Sequence, residues 1–194
     1  MAPPPPERLA PYVEAAVTRK KIPYFVVPVL VMLPIWALMY ALTLDKPSPR
    51  EAGPLVEGAT VYASCAGCHG GTGGGGVGPA LSGGAVLEEF PEPGDQLHWV
   101  MEGSDGFKAL GLDSYGVTEK PIKGGMPSHE GLEAEQLIAV IRHERETLSG
   151  EEVDEAILEE HYENIMEMVR EYYPEREDEF QAVVDEWAEL PADS

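Results

Sequence analysis

The chain has 194 residues, and its 13 Lys and Arg residues stand against 35 Asp and Glu residues, giving a formal net charge of −22 at pH 7. So acidic a chain is not expected to bind nucleic acid, because phosphate binding needs clustered basic side chains. The hydrophobic content of 43% is too high for a wholly disordered chain. The two cysteines, Cys65 and Cys68, are too few for a multi-disulfide scaffold or a four-cysteine zinc site.

Composition changes along the chain and divides it into segments. Residues 1–44 hold 4 basic and 2 acidic side chains, residues 45–148 hold 7 and 16, and residues 149–194 hold 2 and 17. The first segment divides again, because its last 23 residues carry no charge. We therefore expect four regions: a cytoplasmic N-terminal tail over 1–21, a membrane anchor over 22–44, a folded domain over 45–148 and an acidic helical tail over 149–194.

The uncharged run over residues 22–44 predicts a helix that crosses a membrane once. A helix of this length, at ~1.5 Å per residue, reaches about 34 Å, which exceeds a hydrocarbon core of ~30 Å. Pro28 and Pro34 should kink it. The run is too long for a cleaved signal peptide, and no small-x-small cleavage site follows it. A buried helix in a soluble core is the remaining alternative.

Basic residues flank this run unequally, which predicts its orientation. Four of them precede it (Arg8, Arg19, Lys20 and Lys21), whereas only two follow closely. The positive-inside rule therefore places the N-terminus in the cytoplasm and residues 45–194 outside. We expect a bacterial cell-membrane protein whose folded domain lies on the extracytoplasmic side.

Cys65, Cys68 and His69 form a Cys-x-x-Cys-His motif, which is typical of a covalent attachment site for haem c. Two thiols on one helical turn can add to the two vinyl groups along one haem edge, and the next imidazole can then bind the iron. A thioredoxin-like redox pair would need a βαβ pattern, which is absent, and a zinc site would need two further ligands. The motif therefore predicts one covalently bound haem c, and haem c is assembled outside the cytoplasmic membrane, in agreement with the predicted orientation.

With this motif, residues 54–148 resemble the class I, mitochondrial-like c-type cytochromes. The resemblance implies an all-α domain in which a helix before the haem motif crosses the last helix, and Gly58 and Tyr62 resemble the Gly-x-x-x-aromatic pattern of that crossing. The family often has an aromatic residue where Val140 stands, so this contact should be smaller here. The last helix is expected over 132–147, with an apolar face of Leu137, Val140 and Ile141.

The same resemblance implies further haem contacts. The segment from Gly78 to Leu81 looks like the family's Gly-Pro-x-Leu segment, in which the Pro79 carbonyl accepts the Nδ1–H of His69 and Leu81 packs on the haem face. Met126 lies in a sequence that looks like the family's Gly-x-Met-Pro loop, which supplies the second axial ligand. His69 and Met126 are thus the expected iron ligands, and a thioether raises the potential relative to a second imidazole.

Other residues remain alternatives or accessories at this site. Met101 and His129 are the rival candidates for the second axial position. Trp99 and Tyr115 are candidates for packing near the haem propionates or donating to them, although ordinary core packing explains both equally well. Three lysines lie between Arg50 and Arg142, and two of them flank the Met126 loop, where they could pair with the propionates or mark a docking rim: Lys108, Lys120 and Lys123.

The acidic tail is expected to form a helical hairpin. Ser149 and Glu152 fit a capping box that would start a helix ending near Tyr173, and Pro174 should separate it from a second helix over 175–190. Two interpretations of this hairpin stay open. It is either a solvated extension folded back on the preceding domain or an element that docks a partner protein through its apolar stripes.

These features together predict a membrane-anchored c-type cytochrome that carries single electrons between respiratory complexes. We expect it to be a subunit of a quinol:cytochrome c reductase or terminal oxidase assembly, with no catalytic site of its own. Two alternatives remain. One is a haem-based sensor or enzyme with a labile sixth ligand, and the other is a structural subunit that acts through its acidic tail.

Overall fold

The chain divides into two compact units, Met1–Lys46 and Pro47–Ser194. The first unit contains helices α1 (Pro11–Thr18) and α2 (Val26–Thr43), and α2 continues through Pro34. The computed structural model describes residues 10–18, 24, 26–43 and 53–190, which are mostly helical.

The membrane-crossing helix predicted over residues 22–44 is not found in the part of this span that the structure describes. Among the described residues, no helix combines the length and the apolar character that a membrane crossing requires. Helix α2 has 18 residues, and at about 1.5 Å per residue it reaches about 27 Å, short of a ~30 Å hydrocarbon core. Four positions of the predicted span lie outside the described residues, namely 22, 23, 25 and 44, as do the basic residues Arg8, Arg19, Lys20 and Lys21.

The second unit contains the regions predicted to hold the haem motif and the acidic tail. Its helices are α3 (Pro54–Tyr62), α4 (Ala66–His69), α5 (Ala85–Glu89), α6 (Pro93–Ala109), α7 (Ala134–Arg142), α8 (Glu155–Tyr172) and α9 (Glu177–Trp187). A short antiparallel pair, β1 (Ser114–Tyr115) and β2 (Lys120–Pro121), lies in the loop after α6. The last predicted helix of the haem region is present as α7, which continues into a π-helix at His143–Leu148.

Helices α3 and α7 cross at Gly58 with their backbones in contact. A Cβ atom on Gly58 would lie 2.1 Å from the carbonyl oxygen of Ala139 and 2.7 Å from Cβ of His143. One turn later, the buried Tyr62 ring lies against the His143 imidazole, with ring centroids 5.4 Å apart. Val140 also packs on Tyr62, and the His143 imidazole adds a ring to this crossing that the sequence did not predict.

The acidic tail packs into the same core as the helices before it. Helix α8 lies along α6, and α9 contacts both α7 and α8. The tail's apolar stripes are therefore largely used within the chain, which matches the interpretation of an extension folded back on the domain. Among the apolar side chains of the tail, Tyr172 and Leu190 are exposed, whereas four others are buried in this core: Ile165, Met168, Phe180 and Trp187.

Ser149 does not cap the first tail helix as predicted. Its hydroxyl donates to the Leu81 carbonyl at 2.6 Å and accepts from the Val86 N–H at 3.3 Å, so it joins the end of the π-helix to the loop before α5. Helix α8 begins instead after Asp154, whose carboxylate accepts from the Ile157 N–H at 2.9 Å. Asp is as good an N-cap as Ser, and the hydroxyl of Ser149 is engaged elsewhere.

A buried polar cluster joins the π-helix to α6. The Gln96 amide donates to the carboxylate of Glu144 at 2.8 Å and accepts from the Arg145 guanidinium at 3.4 Å. Arg145 is satisfied further by both carboxylate oxygens of Glu151, each at 2.8 Å, and by the carbonyl of Phe90. Glu144 is deeply buried, and its desolvation raises the pKa of its carboxyl group to about 7, although the Gln96 hydrogen bond lowers it in part.

Replacing Gly58 by Ala should destabilise the protein, because the new Cβ would overlap the Ala139 carbonyl and force α3 and α7 apart. Overpacking at a tight contact costs about 1–3 kcal/mol. The measurement is the free energy of unfolding in guanidinium chloride. Gly131→Ala is the matched control, because a Cβ there meets nothing within 4 Å; an equal loss in both variants would contradict the close crossing.

Replacing Glu144 by Gln should change how stability depends on pH. The folded state holds the Glu144 proton up to about pH 7, whereas the unfolded state loses it near 4.5. Stability should therefore fall as pH rises through this window and level off above pH 7, by about 3 kcal/mol in all from this group. The difference in unfolding free energy between the native protein and Glu144→Gln, measured from pH 4 to 8, isolates it. Parallel pH curves would show that Glu144 is not a buried acid.

Candidate haem site

The Cys-x-x-Cys-His motif forms a single helical turn directly after α3. The N–H groups of Cys68 and His69 both donate to the carbonyl of Cys65, at 3.1 and 3.0 Å, so the turn is closed from its first residue. Both thiols are free, with Cys65 partly buried and Cys68 exposed. Burial raises the pKa of the Cys65 thiol, and the nearby carboxylate of Glu144 raises it further. The two sulfur atoms are thus presented one turn apart and not joined to each other.

The imidazole of His69 is held in one orientation by the glycine-rich loop that follows it. Its Nδ1 lies 2.8 Å from the carbonyl oxygen of Pro79, the contact that the family resemblance implied. Because a carbonyl only accepts, Nδ1 carries the proton and Nε2 keeps its lone pair for a metal. Gly78 packs on the ring face, where a Cβ would lie 2.8 Å from Cε1 of His69. Glycine at this position lets the loop approach the ring closely.

Leu81 lies in the same apolar cluster as the first cysteine. Both side chains are partly buried and pack on Val61, Tyr62 and Val140. The backbone of Leu81 is fixed as well, because its N–H donates to the Gly73 carbonyl at 2.7 Å. Leu81 is therefore positioned beside the attachment motif, where the resemblance expects it to line the haem face.

Met126 is fixed through its backbone to a break in helix α6. Gly103 takes a positive φ of 64° inside that helix, and a Cβ there would lie 2.6 Å from the carbonyl of Pro127. The next residue, Ser104, accepts from the Met126 N–H at 3.1 Å and donates its own N–H to the Met126 carbonyl at 2.9 Å. The Met126 side chain is half-buried between the main core, which is built from α6, α7, α8 and α9, and an aromatic cluster around Trp99.

The structure also places the two rival ligands. Met101 is 1% exposed within the main core, so its sulfur is committed to packing. His129 is half-buried, and its pKa is lowered by burial and by the nearby imidazole of His69. The loop after Met126 therefore approaches the attachment motif. Leu132 supports the same conclusion, because it packs on both the main core and the Tyr62 cluster.

An aromatic cluster stands beside Met126. The rings of Trp99 and Tyr115 stack with centroids 4.3 Å apart, and Phe107 meets Trp99 edge-on at 4.9 Å. The sequence singled out Trp99 and Tyr115 as propionate neighbours, and the structure places them against each other. Burial raises the pKa of the Tyr115 phenol, so this hydroxyl remains protonated at neutral pH.

Of the three lysines near the loop, Lys120 is engaged with a buried carboxylate. Its ammonium forms an ion pair with Glu89, which also accepts from the hydroxyl of Thr118. Burial disfavours the Glu89 anion, but the hydrogen bonds from Lys120 and Thr118 outweigh it, so the pKa of Glu89 lies below its ordinary value. Nothing local in the sequence distinguished Glu89 from the exposed acids, and Ser104 was missed for the same reason.

These residues fit a covalently attached haem. Two free thiols lie one helical turn apart on Cys65 and Cys68, and His69 keeps an unprotonated Nε2. Gly78 leaves no side chain between the loop and the imidazole. Met126 offers a neutral sulfur from a loop fixed at its backbone, which is the soft donor that a haem iron accepts.

Residues 55–143 match the family model described as Cytochrome c. No curated protein and no solved structure matches the chain. Members of that family bind covalently attached haem c, and the spacing of Cys65 and Cys68 has the form that this attachment requires. Residues 55–143 are therefore similar to a cytochrome c domain, which binds haem c in electron-transfer proteins.

Proposed function

We propose that this protein is a class I, monohaem electron carrier in which His69 and Met126 fill both axial positions of the iron. The observation that supports it best is the pairing of Ser104 with both backbone groups of Met126, at 3.1 and 2.9 Å. That pairing, together with the close contact at Gly103, fixes the loop from which the thioether is presented. When bound, the haem takes up and releases one electron.

In the proposed site, His69 and Met126 leave no position on the iron for a substrate. The Pro79 carbonyl orients His69 and makes it a stronger donor, because the Nδ1–H is already hydrogen-bonded. Met126 supplies a neutral sulfur, which favours the reduced iron. With both axial positions filled, no position is left for a substrate, so we expect electron transfer without a catalytic site.

Replacing Met126 by Leu should open the iron, because Leu keeps the volume of the side chain and removes the sulfur. In the native oxidised protein we expect a sulfur-to-iron charge-transfer band, and the reduced protein should bind carbon monoxide only slowly, because the thioether must first leave the iron. Met126→Leu should lose the band and bind carbon monoxide readily. The measurement is an absorption spectrum of both oxidation states with and without carbon monoxide.

Met101→Leu and His129→Gln are the controls, since both positions were rival ligands and neither should change the spectrum. Carbon monoxide binding by the native protein as ready as that of Met126→Leu would instead support a haem-based sensor or enzyme with a labile sixth ligand. Loss of native ligation in His129→Gln, with Met126→Leu unchanged, would reassign the second ligand to His129.

We further propose that the protein is attached to a bacterial cell membrane by residues 22–44, with its haem domain on the extracytoplasmic side. The support is the uncharged run of 23 residues behind a basic cluster, and the exposed apolar side chains of α2, such as Leu33, Trp36 and Leu38, which are 58–64% exposed. Helix α2 alone is shorter than a membrane crossing, so the attachment needs the flanking uncharged residues as well. An anchor would keep the electron donor and acceptor close to the haem.

In this setting we propose a resident subunit of a respiratory assembly, such as a quinol:cytochrome c reductase or a terminal oxidase.

The full chain should stay in the membrane fraction after a carbonate wash and be released by detergent. Replacing both Ile35 and Leu38 by Lys should shift it to the wash, because each Lys costs about 3 kcal/mol at a helix centre in lipid. Val77→Lys with Val117→Lys is the control, since it adds the same charge at exposed positions outside α2.

Release of the native chain by carbonate would contradict the anchor. The assembly is checked on a native gel of the detergent extract, stained for haem. We expect a band far above the 21.0 kDa of the chain. Haem that runs only at the size of the single chain would contradict a resident subunit and leave a free carrier.

A further inference from the structure

Two parts of the chain contact the loop that follows Met126, namely helix α6 and the acidic tail. On one side, α6 fixes it, because the Ser128 hydroxyl donates to the Met101 carbonyl at 2.7 Å and the His129 N–H donates to the same carbonyl at 3.1 Å. On the other side, the acidic tail reaches it. Arg176 donates from Nη1 to the carbonyl of Glu130 at 3.0 Å and from Nη2 to the carbonyl of Leu132 at 2.9 Å.

Arg176 is itself held in place for this contact. Its guanidinium meets both carboxylate oxygens of Glu179, each at 2.9 Å, and lies 5.1 Å from the centroid of the Phe180 ring. The same carboxylate accepts the Ala134 N–H at 2.6 Å, at the first residue of α7. The Arg176–Glu179 pair therefore binds three backbone groups between Glu130 and Ala134. Because the pair is bidentate, its geometry is fixed.

The part of the tail that carries Arg176 and Glu179 is itself packed against the domain. Phe180 is fully buried next to Glu179, and Trp187 is 4% exposed further along α9. The Tyr173 hydroxyl, just before the turn that carries Arg176, donates to Glu102 at 2.8 Å and lies 3.2 Å from Nδ1 of His98. The segment of the tail that contacts the loop is thus anchored independently on α6.

We propose that Arg176 and Glu179 are positioning residues that hold the Met126 loop closed and so keep the thioether on the haem iron. This inference rests on the proposed ligation by Met126. It gives the acidic tail a role in the haem site, and the role depends on two charged side chains that contact backbone groups of the loop. A loop fixed by α6 alone would open more often, and each opening would expose the iron to an external ligand.

The test compares Arg176→Gln and Arg176→Lys with Arg170→Gln in the haem-loaded full chain. Arg170 is the matched control, because it lies in the same tail and pairs with Glu177 and Gln181 without touching the loop. The readouts are the rate at which the reduced protein binds carbon monoxide and the intensity of the sulfur-to-iron band of the oxidised protein. The free energy of global unfolding is measured alongside.

Arg176→Gln should bind carbon monoxide roughly tenfold faster than the native protein, as expected when charge-assisted hydrogen bonds to the loop are lost. Arg176→Lys should restore part of the native rate, because one ammonium can still reach a carbonyl, and Arg170→Gln should match the native protein. Glu179→Gln, which keeps the shape of the pair, should also bind faster.

An Arg176→Gln rate equal to that of Arg170→Gln would overturn the positioning role. The positioning role would also be overturned if Arg176→Lys bound carbon monoxide as fast as Arg176→Gln, and if these rates followed the loss of global stability. These results differ from failure of the proposed ligation. In that case Met126→Leu itself would leave the band and the carbon monoxide rate at native values.

Discussion

The close crossing of α3 and α7 at Gly58 is the contact on which the haem site depends. Helix α3 leads directly into Cys65, and α7 follows the loop that carries Met126. Because Gly58 has no Cβ, its backbone meets the Ala139 carbonyl, and the two helices bring the start and the end of the domain together. The attachment motif and Met126 are distant in sequence, and this contact joins the two helices that lie next to them in the chain.

The apolar side chains of the acidic tail extend the core, and its carboxylates lie mostly at the surface. Phe180 and Trp187 are buried with residues of α6 and α7, whereas most of the tail's 17 acidic side chains are exposed. The apolar stripes that suggested a docking surface are therefore largely covered by the domain itself. What remains exposed is strongly negative, and the two basic residues of the tail both form ion pairs, Arg170 with Glu177 and Arg176 with Glu179.

The sequence was informative where a function depends on neighbouring residues. The turn that ends at His69 was predicted from the spacing of its motif, and the family resemblance implied its contact with Pro79, which lies ten residues further along the chain. The capping role of Ser149 was wrong, because its hydroxyl bonds to a loop 68 residues away, and no local pattern records such a partner. Ser104 and His143 were missed for the same reason: each acts on a residue about twenty or eighty positions distant, and only the folded chain brings the pairs together.

In the proposed carrier, His69 and Met126 bind the iron in both oxidation states, so that an electron moves with little change in the site. Resonance Raman spectroscopy of the purified, haem-loaded full chain tests it directly, since its marker bands report the coordination and spin state of the iron. We predict a six-coordinate, low-spin iron in the oxidised and in the reduced protein. A five-coordinate, high-spin reduced form would contradict this, because it would mean that Met126 leaves the iron and that the site is open to an external ligand.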